Sequence, residues 1–275
     1  MDAPLITGPG FAAIEEQDYH ADRSLAPELG RSLSASGAKA LLDCPARYKW
    51  HREHPVQKDT FDRGTIAHRL ILRSDDNRIR VADTYEWKPW QKWNPWKDDH
   101  RANGLVPIHR GDLLAASKMA AAVRRHRIAA AIFSQGRPEV SMYWIDERTG
   151  VTCRGRIDWL RDNAIVDLKT INRADVRTIT RQSVDYGYAA AAAHYRRGVH
   201  ALTGQWLPFV HVFVENEEPH LVHVVQLSDD FLTWGEERMD AALDLFAECE
   251  SSGHWPAYSP DDITLIDPPA WLPTS

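Results

Sequence analysis

Two apolar segments joined by a short connection are the feature that most restricts the fold. Residues 155–160 read GRIDWL, residues 165–170 read IVDLKT, and residues 161–164 lie between them. β-Branched and aromatic residues favour strands, and so short a connection favours a hairpin in which Leu160 pairs with Ile165. Both strands are apolar at most positions, which is typical of buried strands. The sequence therefore predicts a buried hairpin.

The predicted register brings charged side chains together on one face of this hairpin. Asp158 stands across from Asp167, and cross-strand partners point the same way with Cβ atoms roughly 5 Å apart. Strand side chains alternate, so Lys169 shares the face of Asp167. Two carboxylates this close repel each other unless one is protonated or a cation lies between them. A divalent metal usually resolves the conflict, and oxygen ligands suit magnesium or manganese.

A different interpretation of the same spacing is a surface hairpin with a solvated aspartate and an Asp–Lys pair. The apolar residues around the charges disfavour it, because buried carboxylates need a partner.

Composition limits the kinds of partner and compartment. The chain has 275 residues and a formal net charge of −6, so nucleic-acid binding would have to rely on local positive charge. Its three cysteines, Cys44, Cys153 and Cys249, are scattered and predict neither a zinc site nor a disulfide framework. No apolar run is long enough to span a bilayer, and the acidic N-terminus is not typical of a signal peptide. We therefore expect a cytoplasmic protein.

The order of predicted elements is helices, three strands, a helix, two strands and a helix, which indicates an α/β or α+β chain. We expect a partly flexible N-terminal segment over residues 1–31 and a single domain over residues 32–275. The predicted helices cover 34–45 with Ser34 as N-cap, a stretch from about 63, 113–133 with Asp112 as N-cap, 173–204, and Ser228 or Asp229 to Cys249. The predicted strands outside the hairpin cover 139–145, 208–214 and 221–225. Prolines around Trp87, Trp90, Trp93 and Trp96 predict a loop or short elements there.

Short motifs follow one another in a characteristic order over about residues 32–272. They are Ser34-Ala35-Ser36 with Cys44-Pro45-Ala46, Gly64-Thr65-Ile66-Ala67-His68, Glu139, Gly155-Arg156-Ile157-Asp158, Asp167-Leu168-Lys169-Thr170, Tyr188 with His194-Tyr195-Arg196-Arg197-Gly198, Val214-Glu215 and Trp255-Pro256-Ala257-Tyr258. Each motif is weak by itself, but their order and spacing together are specific. In these motifs the chain resembles the PD-(D/E)XK nuclease superfamily and, within it, the phage RecE-like exonucleases (exodeoxyribonuclease VIII type).

The resemblance implies a central mixed sheet flanked by helices, with N-terminal helical additions, and magnesium-dependent cleavage of DNA. It implies that Asp158 and Asp167 are metal ligands, with the backbone carbonyl of Leu168 as a further ligand. Lys169 would orient or deprotonate the attacking water and offset charge in the transition state. This agrees with the chemistry of the residues, because a bound metal lowers the pKa of water and a lysine supplies positive charge where negative charge develops.

Two further residues gain a role from the resemblance. Glu139 would be an additional acidic ligand or would support one, and His68 would reach the metal from a helix. Taken without the motifs, a glutamate at a strand end is more often solvated, and a histidine in an apolar helix more often packs in a core.

The chain departs from the family at one position. The family usually has a glutamine four residues before the tyrosine of the later helix, where this chain has Ala191 before Tyr195. Residues at this spacing share a helix face, so a glutamine–tyrosine pair would point toward DNA. Only Tyr195 remains as a candidate DNA contact, and its apolar neighbours also allow simple core packing.

Three arginines recur every four residues after the hairpin, at Arg173, Arg177 and Arg181. On one helix they would form a basic face beside the metal site and contact phosphates. A solvated helix face is the alternative.

The resemblance implies a metal-dependent exonuclease that digests linear duplex DNA from 5′ to 3′ and leaves 3′ single-stranded tails for phage-type recombination. It also implies a toroidal homo-oligomer, a RecT-like single-strand annealing partner, and Mg²⁺ as the cofactor with Mn²⁺ as a substitute. A non-catalytic DNA-end-binding protein of the same fold and an endonuclease of the same superfamily remain open, the first because of Ala191.

Overall fold

A computed structural model describes residues 6–14, 19, 25–26, 29–54, 63–73, 78–82, 93–103, 105–258 and 263–268 of the chain. The strands in this part are β1 (Gly10–Ala12), β2 (Ser32–Leu33), β3 (Ile79–Ala82), β4 (Val106–His109), β5 (Arg137–Ile145), β6 (Thr152–Arg161), β7 (Ala164–Ile171), β8 (Phe209–Glu215) and β9 (Val222–Val225). The helices are α1 (Ala35–Asp43), α2 (Pro45–Glu53), α3 (Arg63–Leu72), α4 (Asn94–Ala102), α5 (Arg110–Arg125), α6 (Arg127–Phe133), α7 (Val176–Asp185), α8 (Tyr188–Thr203) and α9 (Asp229–Ser252).

Most described strands form one mixed sheet. Its order is β1-β5-β6-β7-β8-β9, and β2 pairs with β6 off this path. The β7–β8 and β2–β6 pairs are parallel, and the remaining neighbours are antiparallel. Strands β3 and β4 form a separate parallel pair.

Helices cover both faces of this sheet. Buried side chains of α1, α8 and α9 form one apolar cluster with β5 and β6, and those of α3 and α5 form a second cluster with β7 and β8. The alternation of side chains along β7 sends Ile165 into the first cluster and Val166 into the second. The predicted fold class, a central mixed sheet flanked by helices, is confirmed.

The β6–β7 hairpin has the predicted register near its turn. Leu160 pairs with Ile165, and the additional pair of Arg161 with Ala164 shortens the connection from the expected four residues to two. The ladder ends at the pair of Trp159 with Val166, so Asp158 and Asp167 are not a hydrogen-bonded strand pair. The strands are buried as predicted, which follows from their position in the interior of the sheet.

The helix predicted over 173–204 is two helices. Asp175 caps α7 by accepting a hydrogen bond from the Thr178 amide at 3.1 Å, so Arg173 lies before the helix. Gly187 has a φ of 74° and separates α7 from α8. Such a left-handed conformation interrupts a helix, and glycine adopts it without steric cost. The predicted stop at Gly204 is confirmed, with a φ of 73°.

The helix predicted over 113–133 is also divided. It begins at Arg110, which leaves Asp112 in the first turn rather than at the cap. His126 has an extended backbone between α5 and α6, and its ring accepts a hydrogen bond from the Ala129 amide at 3.2 Å. A side-chain cap inside an apolar periodic stretch starts a new helix, which periodicity alone does not reveal.

Two predicted helix starts are confirmed by capping contacts. Ser34 accepts from the Gly37 amide at 3.1 Å, and Ser228 accepts from the Phe231 amide at 3.4 Å. Pro45 stops α1 as predicted but also occupies the first turn of α2. A proline is tolerated there because its missing N–H would have no helical partner.

Two of the four tryptophans in the tryptophan-rich stretch belong to the described residues. Trp87 and Trp90 lie outside the described residues, while Trp93 precedes α4 and stacks on His109 with ring centroids 3.7 Å apart. Trp96 stacks on Trp93 with centroids 5.5 Å apart. The expected short elements are present there as α4 and β4.

Within the N-terminal segment, residues 10–12 form β1 and pair with β5 at the edge of the main sheet. None of the described helices combines the length and the apolar character that a membrane span requires.

Candidate active site

Four polar residues line up across the middle of the sheet. The pairs Pro138–Trp159 and Val140–Ile157 place Glu139 of β5 beside Asp158 of β6. Asp158 in turn lies just past the last ladder pair with β7, next to Asp167. Asp167 pairs with His211 of β8 in the parallel register. The row Glu139, Asp158, Asp167 and His211 therefore crosses four neighbouring strands at the point where β6 and β7 separate.

Asp158 takes the place of a backbone acceptor in the ladder. Its Oδ2 accepts a hydrogen bond from the Leu168 amide at 2.8 Å. Burial raises the pKa of Asp158 and the charge of Asp167 raises it further, while His68 and Lys169 counteract this effect. The charge of Asp167 therefore opposes ionisation of Asp158, which is the repulsion that the sequence predicts.

Asp167 and Lys169 form a close pair. The Lys169 Nζ lies 2.6 Å from Oδ1 of Asp167. Burial by itself lowers the pKa of Lys169, but Asp167 and Asp158 outweigh it and raise the pKa above its ordinary value. Lys169 is therefore a cation in this arrangement. The ring of Tyr188 lies 5.7 Å from Nζ and holds the ammonium in a cation–π contact.

The second oxygen of Asp167 is left free. Oδ2 is buried and has no hydrogen-bond partner among the described residues. Nε2 of His211 lies 3.9 Å from this oxygen. A buried carboxylate oxygen without a donor is costly, so this atom is a place where a cation would be favourable.

His68 reaches the same place from α3. Its Nδ1 lies 3.9 Å from Oδ2 of Asp158, and its side chain is partly exposed. The helix packs through Ile66 and Ala67 against the face of β7 that carries Val166 and Leu168. The structure thus brings His68 to the carboxylates, and its role as a metal ligand stays a prediction.

Glu139 lies in the row but is held by two guanidinium groups. Its Oε2 is 2.5 Å from Nε of Arg73 and 3.6 Å from Nη2 of Arg156. Its backbone has a φ of 49°, which is unusual for a residue with a side chain. A metal would have to compete with these arginines for the carboxylate, so the role of Glu139 as a ligand stays a prediction.

Tyr195 packs inside the fold. Its ring stacks on Phe209 with centroids 6.1 Å apart, and a Cβ placed on Gly155 would lie 2.8 Å from the same ring. Burial raises the pKa of its hydroxyl well above the ordinary value. Ala191 is partly buried one turn earlier on α8. The predicted DNA contact of Tyr195 is not tested by these contacts, but the packing explains the residue without it.

The predicted basic face is only partly helical. Arg177 and Arg181 lie on α7 and are exposed, whereas Arg173 precedes the helix. Arg173 lies 3.4 Å from Asp175 and Arg181 lies 3.1 Å from Asp185. Each of these two arginines therefore already has a carboxylate neighbour, and their phosphate contacts stay a prediction.

Sequence reasoning missed His211 and Arg73, and it gave Arg156 and Tyr188 no role beyond their place in the motifs. His211 sits among apolar residues of β8, and only the parallel pairing with β7 places it beside Asp167. Burial lowers the pKa of His211 to about 4, so its imidazole is neutral. No signal in the order of residues connects it to the hairpin.

The donor set of this site fits a divalent cation, although the described residues contain no group of three or more histidine, cysteine or acidic side chains already gathered around one point. Hard carboxylate oxygens from Asp158 and Asp167 are typical ligands of magnesium and manganese. The unpartnered Oδ2 of Asp167 and the raised pKa of Asp158 are both conditions that a bound cation would relieve.

Comparison with solved structures supports the nuclease-like fold. A candidate exonuclease from Eubacterium rectale is similar with a TM-score of 0.59 at 16% identity, covering 95% of this chain and 97% of the other. An alkaline exonuclease from Laribacter hongkongensis is matched at 17% identity with a TM-score of 0.29, covering 68% of this chain and 90% of the other. The first likeness shows a shared fold. No protein with curated function is similar to the chain by sequence.

A family profile matches most of the chain. That profile covers residues 34–262 and is described as a PDDEXK-like domain of unknown function. It spans the hairpin, the helix that carries His68 and the whole of β8 and α9. The chain therefore belongs to the family of PDDEXK-like domains known as DUF3799.

Proposed function

We propose that the protein is a magnesium-dependent DNA exonuclease that digests linear duplex DNA. The observation that carries the proposal is the placement of Asp158, Asp167 and Lys169 where β6 and β7 separate. Two carboxylates and one ammonium meet there at a partly exposed position in an otherwise apolar sheet. This is the arrangement that metal-assisted phosphodiester hydrolysis requires.

The residues divide the chemistry between them. Asp158 and Asp167 would hold the cation, with the carbonyl of Leu168 as a third oxygen donor. When bound, the cation would lower the pKa of a water molecule and neutralise charge on the phosphate. Lys169 supplies fixed positive charge where negative charge develops on the phosphoryl oxygens, and its contacts with Asp167 and Tyr188 hold it in place. Manganese would be able to replace magnesium.

The raised pKa of Lys169 bears on which of its two expected roles it performs. A lysine that keeps its proton cannot accept one from water, so the proposal assigns Lys169 to charge stabilisation and water orientation. His68 and Glu139 would support the carboxylates, directly or by orienting them.

The finer parts of the proposal follow from the resemblance to the RecE-like branch. They are digestion from 5′ to 3′, release of 3′ single-stranded tails for phage-type recombination, assembly into a homo-oligomer and cooperation with a RecT-like annealing protein. Arg173, Arg177 and Arg181 near the open end of the hairpin would contact the phosphates of the duplex.

The proposal is tested with purified protein and two DNA forms. Linear duplex DNA labelled at either the 5′ or the 3′ end, and a covalently closed circle, are incubated with and without magnesium. We expect magnesium-dependent loss of the linear form only, with the 5′ label released first as short products. Cleavage of the circle would show that the protein is an endonuclease. Early release of the 3′ label would show that digestion runs from 3′ to 5′.

A second candidate is a DNA-end-binding protein without catalysis. The observation that favours it is Ala191, because the position where relatives carry glutamine offers no polar group to DNA or water. Gel-shift binding of duplex ends without any cleavage in magnesium or manganese would support this candidate over the first.

A further inference from the structure

We propose that His211 provides a nitrogen ligand for the cation held by Asp167 and gives the site a preference for manganese over magnesium. The role rests on the proposed function, because it concerns the metal of the same site.

The distance between the His211 ring and the Asp167 carboxylate is too long for a hydrogen bond. Nε2 of His211 lies 3.9 Å from Oδ2 of Asp167, whereas N–H···O bonds span about 2.7–3.2 Å. Oδ1 of Asp167 is engaged by Lys169, and Oδ2 has no partner among the described residues. A free carboxylate oxygen and an imidazole nitrogen thus face each other across a gap.

The width of this gap suits one shared ion. Two ligands bound to the same ion at about 2.1 Å each can be at most about 4.2 Å apart. The 3.9 Å between Nε2 of His211 and Oδ2 of Asp167 falls within this limit. The same separation, 3.9 Å, divides Nδ1 of His68 from Oδ2 of Asp158.

Packing holds the His211 ring at this place. Its centroid lies 4.9 Å from that of Phe209, 5.7 Å from that of Phe213 and 6.0 Å from that of Tyr188. His211 is 2% exposed, and its Nδ1 also lacks a hydrogen-bond partner among the described residues. Aromatic neighbours, and not a hydrogen bond of Nδ1, therefore hold the ring in place.

His194 on α8 shows what an ordinary buried histidine looks like in the same protein. It is 1% exposed, its Nε2 lies 2.9 Å from the carbonyl oxygen of Arg154, and its ring packs against Trp144 with centroids 4.6 Å apart. Burial lowers the pKa values of both histidines to about 4. The difference is the partner: His194 has a backbone carbonyl, while His211 faces an unpaired carboxylate oxygen.

A nitrogen ligand changes which ion the site prefers. Magnesium takes oxygen ligands and keeps several waters, whereas imidazole nitrogen favours ions of the first transition row. Manganese accepts carboxylate oxygens like magnesium but gains more from an imidazole. His211 would therefore raise the affinity for manganese and leave that for magnesium nearly unchanged.

The first test measures metal binding without DNA and without turnover. The full-length protein is stripped of metal and titrated calorimetrically with MnCl₂ and with MgCl₂. We expect wild-type protein to bind manganese at least roughly tenfold more tightly than magnesium. His211→Gln and His211→Phe should each weaken manganese binding by about tenfold or more and change magnesium binding by less than about threefold.

The matched control is His194→Gln, which alters a buried histidine away from the carboxylates. It should keep the wild-type ratio of manganese to magnesium affinity. The phenylalanine variant at 211 extends the aromatic packing of Phe209 and Phe213, so it protects the test against a loss of folding in the glutamine variant. Circular dichroism of each variant checks the fold.

The second test detects the proposed nitrogen ligand directly, in a protein that keeps His211. Pulsed electron paramagnetic resonance of manganese-loaded His68→Ala should still show coupling to an imidazole ¹⁴N nucleus. Adding His211→Phe to that variant should remove the coupling.

The outcomes separate the two proposals. The role of His211 would be overturned if both His211 variants kept the wild-type ratio of manganese to magnesium affinity and if His68→Ala showed no ¹⁴N coupling. The nuclease proposal would still stand in that case. A wild-type protein that binds neither ion would overturn both.

Discussion

The two ends of the β6–β7 hairpin are built from the same two strands but behave differently. At the turn end, Leu160 and Ile165 are paired in the ladder and buried among apolar side chains. At the open end the ladder stops, the Leu168 amide bonds to the carboxylate of Asp158, and Lys169 reaches Asp167. Replacing backbone pairing by side-chain contacts frees space and polar atoms in the middle of a sheet. The turn end therefore supplies stability, and the open end supplies the candidate chemistry.

The largest effect is expected from removing a carboxylate at the open end. Asp167→Ala and Asp158→Ala should each abolish magnesium-dependent cleavage, because the cation would lose an oxygen ligand. Without metal, Asp158→Ala should keep or raise the thermal stability, since a repulsion between carboxylates is removed. Asp167→Ala should lower it, because Lys169 also loses its partner. Cleavage of end-labelled duplex and thermal unfolding measure both effects.

Asp162→Ala is the matched control, because it removes the same kind of side chain from the exposed turn of the same hairpin. It should cleave like the wild type. Near-normal magnesium-dependent cleavage by Asp167→Ala would show that the open end is not the catalytic site.

The next effect is expected at the turn end and concerns stability. Ile165 is fully buried, so Ile165→Ala should lower the free energy of unfolding by about 2–5 kcal/mol. Chemical denaturation measures the loss. The cleavage rate per folded molecule should not change. A lower rate in Ile165→Ala protein that is fully folded would show that the turn end also contributes to catalysis.

Lys169→Ala should reduce the single-turnover cleavage rate by about a hundredfold or more, because the ammonium stabilises charge in the transition state. Affinity for DNA should change little. Lys118→Ala, which removes an exposed lysine paired with Glu218, serves as the control. A Lys169→Ala protein that binds DNA poorly but cleaves normally at saturating DNA would show that the lysine contributes to DNA binding and not to catalysis.

A smaller effect concerns pH and the buried His194. Its folded pKa of about 4 lies below the ordinary 6.5, so the unfolded chain takes up a proton more readily than the folded one. The stabilising contribution is complete above pH 6.5 and is lost as the pH falls toward 4, by about 2 kcal/mol between pH 7 and pH 5. Denaturation at both pH values should show a smaller loss for His194→Gln than for the wild type. Equal losses would mean that the histidine is not buried as a neutral group.

The smallest effect is expected at Ala191. Ala191→Gln introduces the glutamine that the resemblance to the RecE-like exonucleases implies at this position, and it should raise the cleavage rate by roughly tenfold, the equivalent of about 1.4 kcal/mol. Glutamine is a good helix former, so α8 should persist. Ala201→Gln, at an exposed position of the same helix, is the control for helix effects alone. Equal single-turnover rates for wild type and Ala191→Gln would mean that this glutamine is dispensable here.

Helix ends that depend on residues close together in the sequence were predictable from the order of amino acids. Ser34 and Ser228 cap helices through amides three residues away, and Gly204 ends α8 with a left-handed backbone. The breaks at His126 and Gly187 were missed, because apolar periodicity continues across them although the backbone does not.

The order of amino acids was enough to predict the hairpin and the meeting of Asp158, Asp167 and Lys169, since a connection as short as residues 161–164 leaves little freedom in how the strands align. The tertiary structure alone decided the remaining neighbours. His68 arrives through the packing of α3, Arg73 follows that helix to Glu139, and His211 arrives through the parallel pairing of β8. A parallel pair requires a long crossover, so its register is set by the packing of α7 and α8 and not by any spacing along the chain.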